Sequence, residues 1–310
     1  MPARAIILDC DPGQDDAVAI FLALASPEEL DVLAVTTVGG NVPLALTEAN
    51  ARRVVEAAGA SVPVHLGCPQ PLLRPLETAE HVHGETGLDG SGLPPPERPP
   101  APGHAVDVIV ELVMARPPGS VTLVPTGPLT NVAMALRREP ALAERLAGIV
   151  LMGGAIGLGN VTPAAEFNFY VDPHAADIVF RSGVPITMFP LDVTHQVLVT
   201  AERVERIDAL GTPAARAVAG MLDFYRHHGR TGGAEDGPLH DPCTVAWLIA
   251  PELFSGRECH VAIETVSPLG LGRSYVDWWD SRGEPANALV MNEADAEGFF
   301  DLLVERLARF

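Results

Sequence analysis

Short apolar runs alternate with amphipathic helical stretches through most of this chain, and no other feature limits its fold so strongly. Ala5-Ile6-Ile7-Leu8 reads as a buried strand. It leads into a stretch where Ala17, Ile20, Phe21 and Leu24 fall on one helical face. The unit then recurs: strand 31–38 before helix 44–58, strand 121–124 before helix 132–138, and strand 148–152 before a helix ending near Arg181. A short strand at 62–66, a helix at 104–116, a strand at 186–189 and helices at 201–209 and 213–226 continue the rhythm. Such repetition predicts an α/β protein with an open, mostly parallel, doubly wound sheet covered by helices on both faces. Residues 260–276 read as edge strands, and 294–310 as a last packing helix with Phe299, Leu303 and Leu307 on one face. The proline-rich stretch 93–103 reads as an extended surface connection rather than a boundary. Residues 1–310 are therefore expected to form a single domain.

In a sheet of this kind, ligands bind outside the carboxyl ends of the strands. Polar residues at strand-to-helix junctions are the first candidates for function. The first junction is DCDPGQDD at 9–16, four carboxylates around a turn containing Pro12 and Gly13. Alternation along an extended backbone puts Asp9 and Asp11 on one side, and the turn can return Asp16 toward them. Crowded anions favour protonation unless a cation sits among them. Oxygen-only ligands select a hard cation such as Ca²⁺ or Mg²⁺. Helix capping and the helix dipole account for one or two of these acids, but not four.

Later junctions add polar groups. In VGGN at 38–41 two glycines let backbone approach a ligand, and Asn41 can offer its amide, although a turn Asn after Gly is the plainer explanation. In PTGPLTN at 125–131, Thr126 stands at the strand end beside Asp11's crevice, while Thr130 or Asn131 can cap the following helix. The loop 153–173 carries Asn160, Glu166 and Asn168, the last two facing one way if extended, with Phe167 and Tyr170 as aromatic surface. Asp172-Pro173 has the form of an N-cap and first helical residue. His81 and His83 alternate without a third ligand nearby, which is poor support for a metal. A glycine-rich stretch at 227–237 reads as a mobile, lid-like loop. It delivers the chain to His240-Asp241-Pro242, where an N-cap role explains Asp241 but leaves His240 without a reason.

Composition removes several classes. Net charge is −20 with no basic tract, which argues against nucleic acid and anionic membrane surfaces as partners. All 20 basic residues are Arg, so phosphate binding through a P-loop Lys and Schiff-base chemistry are excluded. Cys10, Cys68, Cys243 and Cys259 show no C-x-x-C spacing, and no signal-peptide pattern opens the chain, so a reduced cytoplasmic protein is the simplest expectation.

The motifs, taken in order, resemble the inosine–uridine preferring nucleoside hydrolases over almost the whole chain. The resemblance rests on DCDPGQDDAVAI at 9–20, VGGN at 38–41, HGETGL at 83–88 and PTGPLTN at 125–131. It continues with MGGA at 152–155, GNVTPAAEFNFYVDP at 159–173 and LHDPCTVAW at 239–247. It implies a Rossmann-like fold of nucleoside hydrolase type and a homodimer or homotetramer. It also implies cleavage of the N-glycosidic bond of ribonucleosides to ribose and free base. By motif match, Asp11, Asp16, Asp241 and the Thr126 carbonyl look like ligands of a Ca²⁺ ion, and Asp11 also looks like the base that activates the Ca²⁺-bound water. Asp15, Asn41, Glu166 and Asn168 look like ribose contacts, with Met152, Asn160 and Phe167 also at the substrate. His240 resembles the residue that protonates or orients the leaving base, and His83 lies near that base. The purine-only branch of the family lacks a histidine before the metal-binding Asp, so His240 points to the inosine–uridine or pyrimidine type. The stretch 224–237 departs from the family's base-contacting pattern. No role carries over to Tyr225, His227, His228 or Arg230, and base preference is left open.

The chemistry of the residues agrees with this resemblance. A ribosyl transition state gains positive charge, which an acidic pocket stabilises. A base on one side of the sugar and an acid on the other is the arrangement of an inverting glycosidase. A phosphatase of the haloacid dehalogenase type, with Asp9 as nucleophile, would want Thr or Val in place of Gly13 and a later Lys that this chain lacks. A non-catalytic nucleoside sensor would have no use for Asp11 together with His240.

Overall fold

The computed structural model describes residues 3–228 and 236–310. Its strands are β1 (Arg4–Cys10), β2 (Leu30–Thr37), β3 (Val64–Leu66), β4 (Val121–Pro125), β5 (Leu146–Met152), β6 (Ile186–Phe189), β7 (Phe254–Cys259), β8 (Val261–Ile263), β9 (Ser274–Val276) and β10 (Ala288–Ala294). Eight of them form one sheet in the order β3-β2-β1-β4-β5-β6-β10-β7. All neighbouring pairs are parallel except β10 with β7. The chain winds outward from β1 to β3, crosses back to β4, and winds the other way. The reversal lies between β1 and β4, where Asp9 pairs in register with Pro125. A crevice opens at that point because the connections on either side leave in opposite directions.

Both faces of the sheet are buried, as the near-continuous apolar strands require. Ile6 and Leu8 enter one core with Phe21, Val218, Leu222 and Phe299. Ile7, between them, enters the other with Ile109, Val132, Leu151 and Val179. The period of two along β1 thus divides one strand between two cores. Each such large apolar side chain, fully buried, contributes about 1.5–3 kcal/mol.

The early elements lie within two residues of their expected bounds, and Gly59 takes φ +66° just past the helix Leu44–Ala57, as a helix-ending glycine does. The C-terminal part differs from expectation. β8 and β9 pair only with each other, as a separate antiparallel ribbon. The sheet edge is β7, and β10 inserts between it and β6. β7 reads FSGREC and is exposed at its four central positions, so it carries little apolar pattern. A charged edge of this type discourages pairing with other chains. Among the described residues, no helix is long and apolar enough to cross a membrane.

Candidate active site

The acidic motif sits where β1 ends at the topological reversal, and the structure splits its four carboxylates into two roles. Asp9 is held by groups outside the other three, with its buried Oδ2 left without a partner. Its Oδ1 accepts from the Thr36 hydroxyl at 2.6 Å and the Asn131 amide at 2.8 Å. Asn131 also donates to the Thr37 carbonyl and accepts from the Cys68 N–H. It therefore ties β1, β2 and the loop after β3 together rather than capping its helix, which begins at Thr130 with no side-chain cap. Thr130 likewise is not a cap, but donates to Asp172. Asp172 does cap, accepting from the Ala175 N–H as its Asp-Pro context predicts.

Asp11, Asp15 and Asp16 face the crevice. Asp11 is fully buried between two glycines: a Cβ on Gly40 would overlap its Oδ2, and one on Gly127 its Oδ1. Both glycine-bearing motifs are therefore explained by close approach to one carboxylate. Asp11 Oδ2 accepts from the Asn41 N–H at 2.7 Å, and its Oδ1 has no hydrogen-bond partner. Asp16 accepts from the Thr126 hydroxyl at 2.7 Å and the Gly13 N–H at 3.1 Å. Asp15 Oδ1, also buried, has no partner.

Asp241 enters from the far end of the sequence. It occupies the N-cap position of the helix Pro242–Ile249, but its backbone is already helical and its side chain makes no capping bond. The expected cap is absent because the carboxylate turns inward. One oxygen each of Asp15, Asp16 and Asp241 lie within 4.8 Å of one another. Asp11 is outside that set, though its charge is felt at Asp241.

Burial and mutual repulsion disfavour ionisation throughout this group. Asp11 and Asp241 are held well above the ordinary carboxylate range, by burial first and then by neighbouring carboxylates. Burial, then Asp16, pushes Asp15 up to about 7. Asp16 is raised by burial despite the Thr126 and Gly13 bonds. No arginine is among the described residues lining the cavity. Converging carboxylates, two partnerless oxygens and no arginine make an arrangement suited to a metal ion with oxygen ligands.

Asp15, Asn41, His83, Thr126, Met152, Asn160, Glu166, Phe167, Asn168, His240 and Asp241 line one cavity, so sequence-distant candidates meet. Asp11 and Asp16 are not among its lining residues but bond to two that are, Asn41 and Thr126. Glu166 and Asn168 meet there for a different reason than extended alternation. Glu166 caps the short helix Phe167–Val171, accepting from the Asn168 and Phe169 N–H groups and from Gly154. Burial still pushes it up to about 7. Asn168 donates to the carbonyls of Thr126 and Met152. Asn160 accepts from the Phe167 N–H.

A second wall holds imidazoles. His83 Nδ1 bonds to Gln14 Oε1 at 2.8 Å, which makes Nδ1 the donor, and its ring stacks on Tyr225 with centroids 5.7 Å apart. Burial lowers its pKa to about 3. His240 Nδ1 bonds to the Thr194 hydroxyl at 2.7 Å. Its pKa falls well below the usual value, by burial and then by His195 and His83.

Tyr225, unassigned from sequence, lines the cavity. His227 and His228 do not; they are exposed and bond back to carbonyls of their own helix. Arg230 and most of the lid-like stretch lie outside the described residues. Gln14 and Thr194 were not identified from sequence. Gln14 could have been found as the one neutral polar residue inside the acidic motif, whereas nothing local marks Thr194.

The sequence model of the inosine-uridine preferring nucleoside hydrolase family matches residues 6–301. A pyrimidine-specific ribonucleoside hydrolase, RihA of Shewanella sp. (strain ANA-3), is 52% identical over 309 residues, 99% of this chain and 96% of its own. Among solved structures, a plant nucleoside hydrolase, the PpNRh1 enzyme, superposes with a TM-score of 0.91 at 35% identity, covering 99% of both chains. A purine-preferring ribonucleoside hydrolase from Gardnerella vaginalis gives 0.91 at 33% identity, covering 98% of both.

Proposed function

The chain belongs to the inosine–uridine preferring nucleoside hydrolase family, and from that premise we propose how its own residues divide the work of cleaving a nucleoside. It is a ribonucleoside hydrolase, an N-glycosyl hydrolase that yields ribose and free base. The observation that carries the assignment of roles is the buried carboxylate cluster with partnerless oxygens on Asp11 and Asp15 and no arginine among the described residues of the cavity.

Asp11, Asp16, Asp241 and the Thr126 carbonyl would hold a Ca²⁺ ion. That carbonyl already accepts from Asn168, and its second lone pair remains available. A bound divalent cation supplies an anchor for sugar hydroxyls and lowers the pKa of water beside it. Asp15, Asn41, Glu166 and Asn168 grip the ribose hydroxyls. Asp11 takes a proton from the attacking water as its oxygen bonds to C1′ and the C1′–N bond breaks. Electrons of that bond pass to the base, where a donor on His240 stabilises the growing charge. His83 and Phe167 flank the base, with Met152 and Asn160 shaping the sugar end. A base near one face of the sugar and a donor at the leaving group correspond to inversion. The 52% identity to a pyrimidine-specific enzyme favours pyrimidine ribonucleosides, while His240 argues only against a purine-only preference.

The assembly belongs to the same proposal. Val266, Leu269 and Trp279, around the β8–β9 ribbon, are more than four-fifths exposed and are the residues we would place in a homodimer or homotetramer contact.

Free ribose released from uridine, cytidine, inosine and adenosine, with and without prior chelation, tests the reading. Metal-dependent release, fastest from the pyrimidine nucleosides, is expected. Equal release after complete metal removal would remove the cation from the mechanism, and adenosine as best substrate would reverse the base preference.

A further inference from the structure

We infer that Thr194 is a positioning residue whose hydroxyl fixes the proton of His240 on Nε2, so that the imidazole presents a donor to the leaving base. The inference rests on the proposed role of His240. It concerns a residue with no place in the acidic cluster, on a segment that otherwise carries no chemistry.

Two backbones hold the pair in place. Leu191–Thr194 is a short helix directly after β6, with the Leu191 N–H bonded to the Gly154 carbonyl. Beyond it, Val199 N–H bonds to the Gly237 carbonyl, and Leu239 N–H to the Val197 carbonyl at 2.8 Å. These bonds lock the approach to Thr194 against the approach to His240. Both residues are buried, so water does not compete freely for their polar atoms.

The hydroxyl has two partners at very different distances. Thr194 Oγ1 lies 2.7 Å from His240 Nδ1 and 3.5 Å from the Leu191 carbonyl. A hydroxyl has one hydrogen to give. At 2.7 Å the bond to Nδ1 is near its optimum, whereas 3.5 Å is at the outer limit. The hydrogen therefore goes to Nδ1 while the imidazole is neutral, which leaves the ring proton on Nε2. If the imidazole becomes cationic, Nδ1–H donates to Oγ1 and the hydroxyl hydrogen turns to Leu191. Nε2 keeps its proton in both cases, so the assignment does not depend on how His240 titrates. With Nδ1 committed to Thr194 and the ring lining the cavity, Nε2 is the nitrogen left for substrate.

Thr194→Val keeps the shape and deletes the hydroxyl, and Thr194→Ser keeps the hydroxyl. Nitrogen NMR of the Ca²⁺-loaded wild-type protein, with His240→Ala to assign the signal, should show the neutral His240 ring protonated on Nε2. The Val variant should show a tautomer mixture. For kcat on uridine, Val should lose roughly tenfold, a part of the ~10²–10⁴ that a positioned proton donor supplies, and Ser should restore most of it. On p-nitrophenyl riboside, whose leaving group needs no donor, Val should stay within about twofold of wild type. Equal losses on both substrates, or a wild-type ring protonated on Nδ1, would overturn the inference. Absence of ribose release by the wild-type protein would instead sink the functional reading, and the NMR result would still decide the tautomer.

Discussion

The two walls of the cavity are both buried and both polar, yet they are finished differently. On the carboxylate wall, Asp11 and Asp15 each leave an oxygen without a partner, and four acids lie together with no arginine among the described residues of the cavity. On the imidazole wall, His83 has its Nδ1 committed to Gln14 and His240 to Thr194. Burial drives the two sets in opposite directions, acids up and imidazoles down, because each is pushed toward its neutral form. The difference shows what each wall lacks. The carboxylates are incomplete until a cation arrives. The imidazoles are complete and already oriented. A nucleoside has a matching asymmetry: a sugar that gains positive charge in the transition state and a base that gains negative charge.

The comparison breaks most readily at Asp11. Asp11→Ala removes both the proposed base and a cation ligand. Its kcat on uridine should fall by at least the ~10²–10⁴ that a general base supplies, and the bound metal should fall with it. Near-normal kcat with full metal content would mean that the carboxylate wall works through Asp15, Asp16 and Asp241 alone, the three that already converge.

The second effect is smaller and should be selective. His240→Ala should slow uridine by about 10²-fold, the low end for a positioned donor, while sparing p-nitrophenyl riboside. A uniform loss on both substrates would assign His240 to the sugar side and erase the distinction between the walls.

That distinction was only half legible in the sequence. DCDPGQDD announced the carboxylate wall because four acids in eight residues exceed what a helix start can use. The same local logic misread Asp241: an Asp before Pro at a helix start has the same sequence whether it caps the helix or turns away, and here it turns away. Asn131 was misassigned for the same reason, since its partners on β1, β2 and the loop after β3 are distant in sequence. The imidazole wall depends on contacts of still longer reach, such as Thr194 with His240 across 46 residues and His83 with Gln14 across 69. In the fold, the buried parallel strands could be read from their apolar runs. β7 could not, because an exposed edge strand carries little apolar pattern.

The smallest expected effect is on stability, and it sharpens the contrast. In the metal-free protein Asp15 titrates near 7 against an ordinary 3.8, and Glu166 near 7 against 4.5. Between those values the folded state holds protons that the unfolded chain has released, so stability falls as pH rises through the window. The histidines act in the opposite sense. His83, lowered to about 3, leaves the unfolded chain binding the extra proton below its ordinary 6.5, so its contribution rises with pH. That opposing contribution is half gone at about pH 6.5 and fades by about pH 7.5, leaving the acids. Melting temperatures of chelated protein should therefore fall between about pH 7 and about pH 8, where the acids give up only the last part of a stabilisation worth about 1.4 kcal/mol per pKa unit of upward shift. Added Ca²⁺ should flatten or reverse the slope, because it favours the ionised carboxylates. A chelated protein whose melting temperature holds or rises over that interval would show that the carboxylate wall is not strained without its cation. The two walls would then differ in composition but not in completeness.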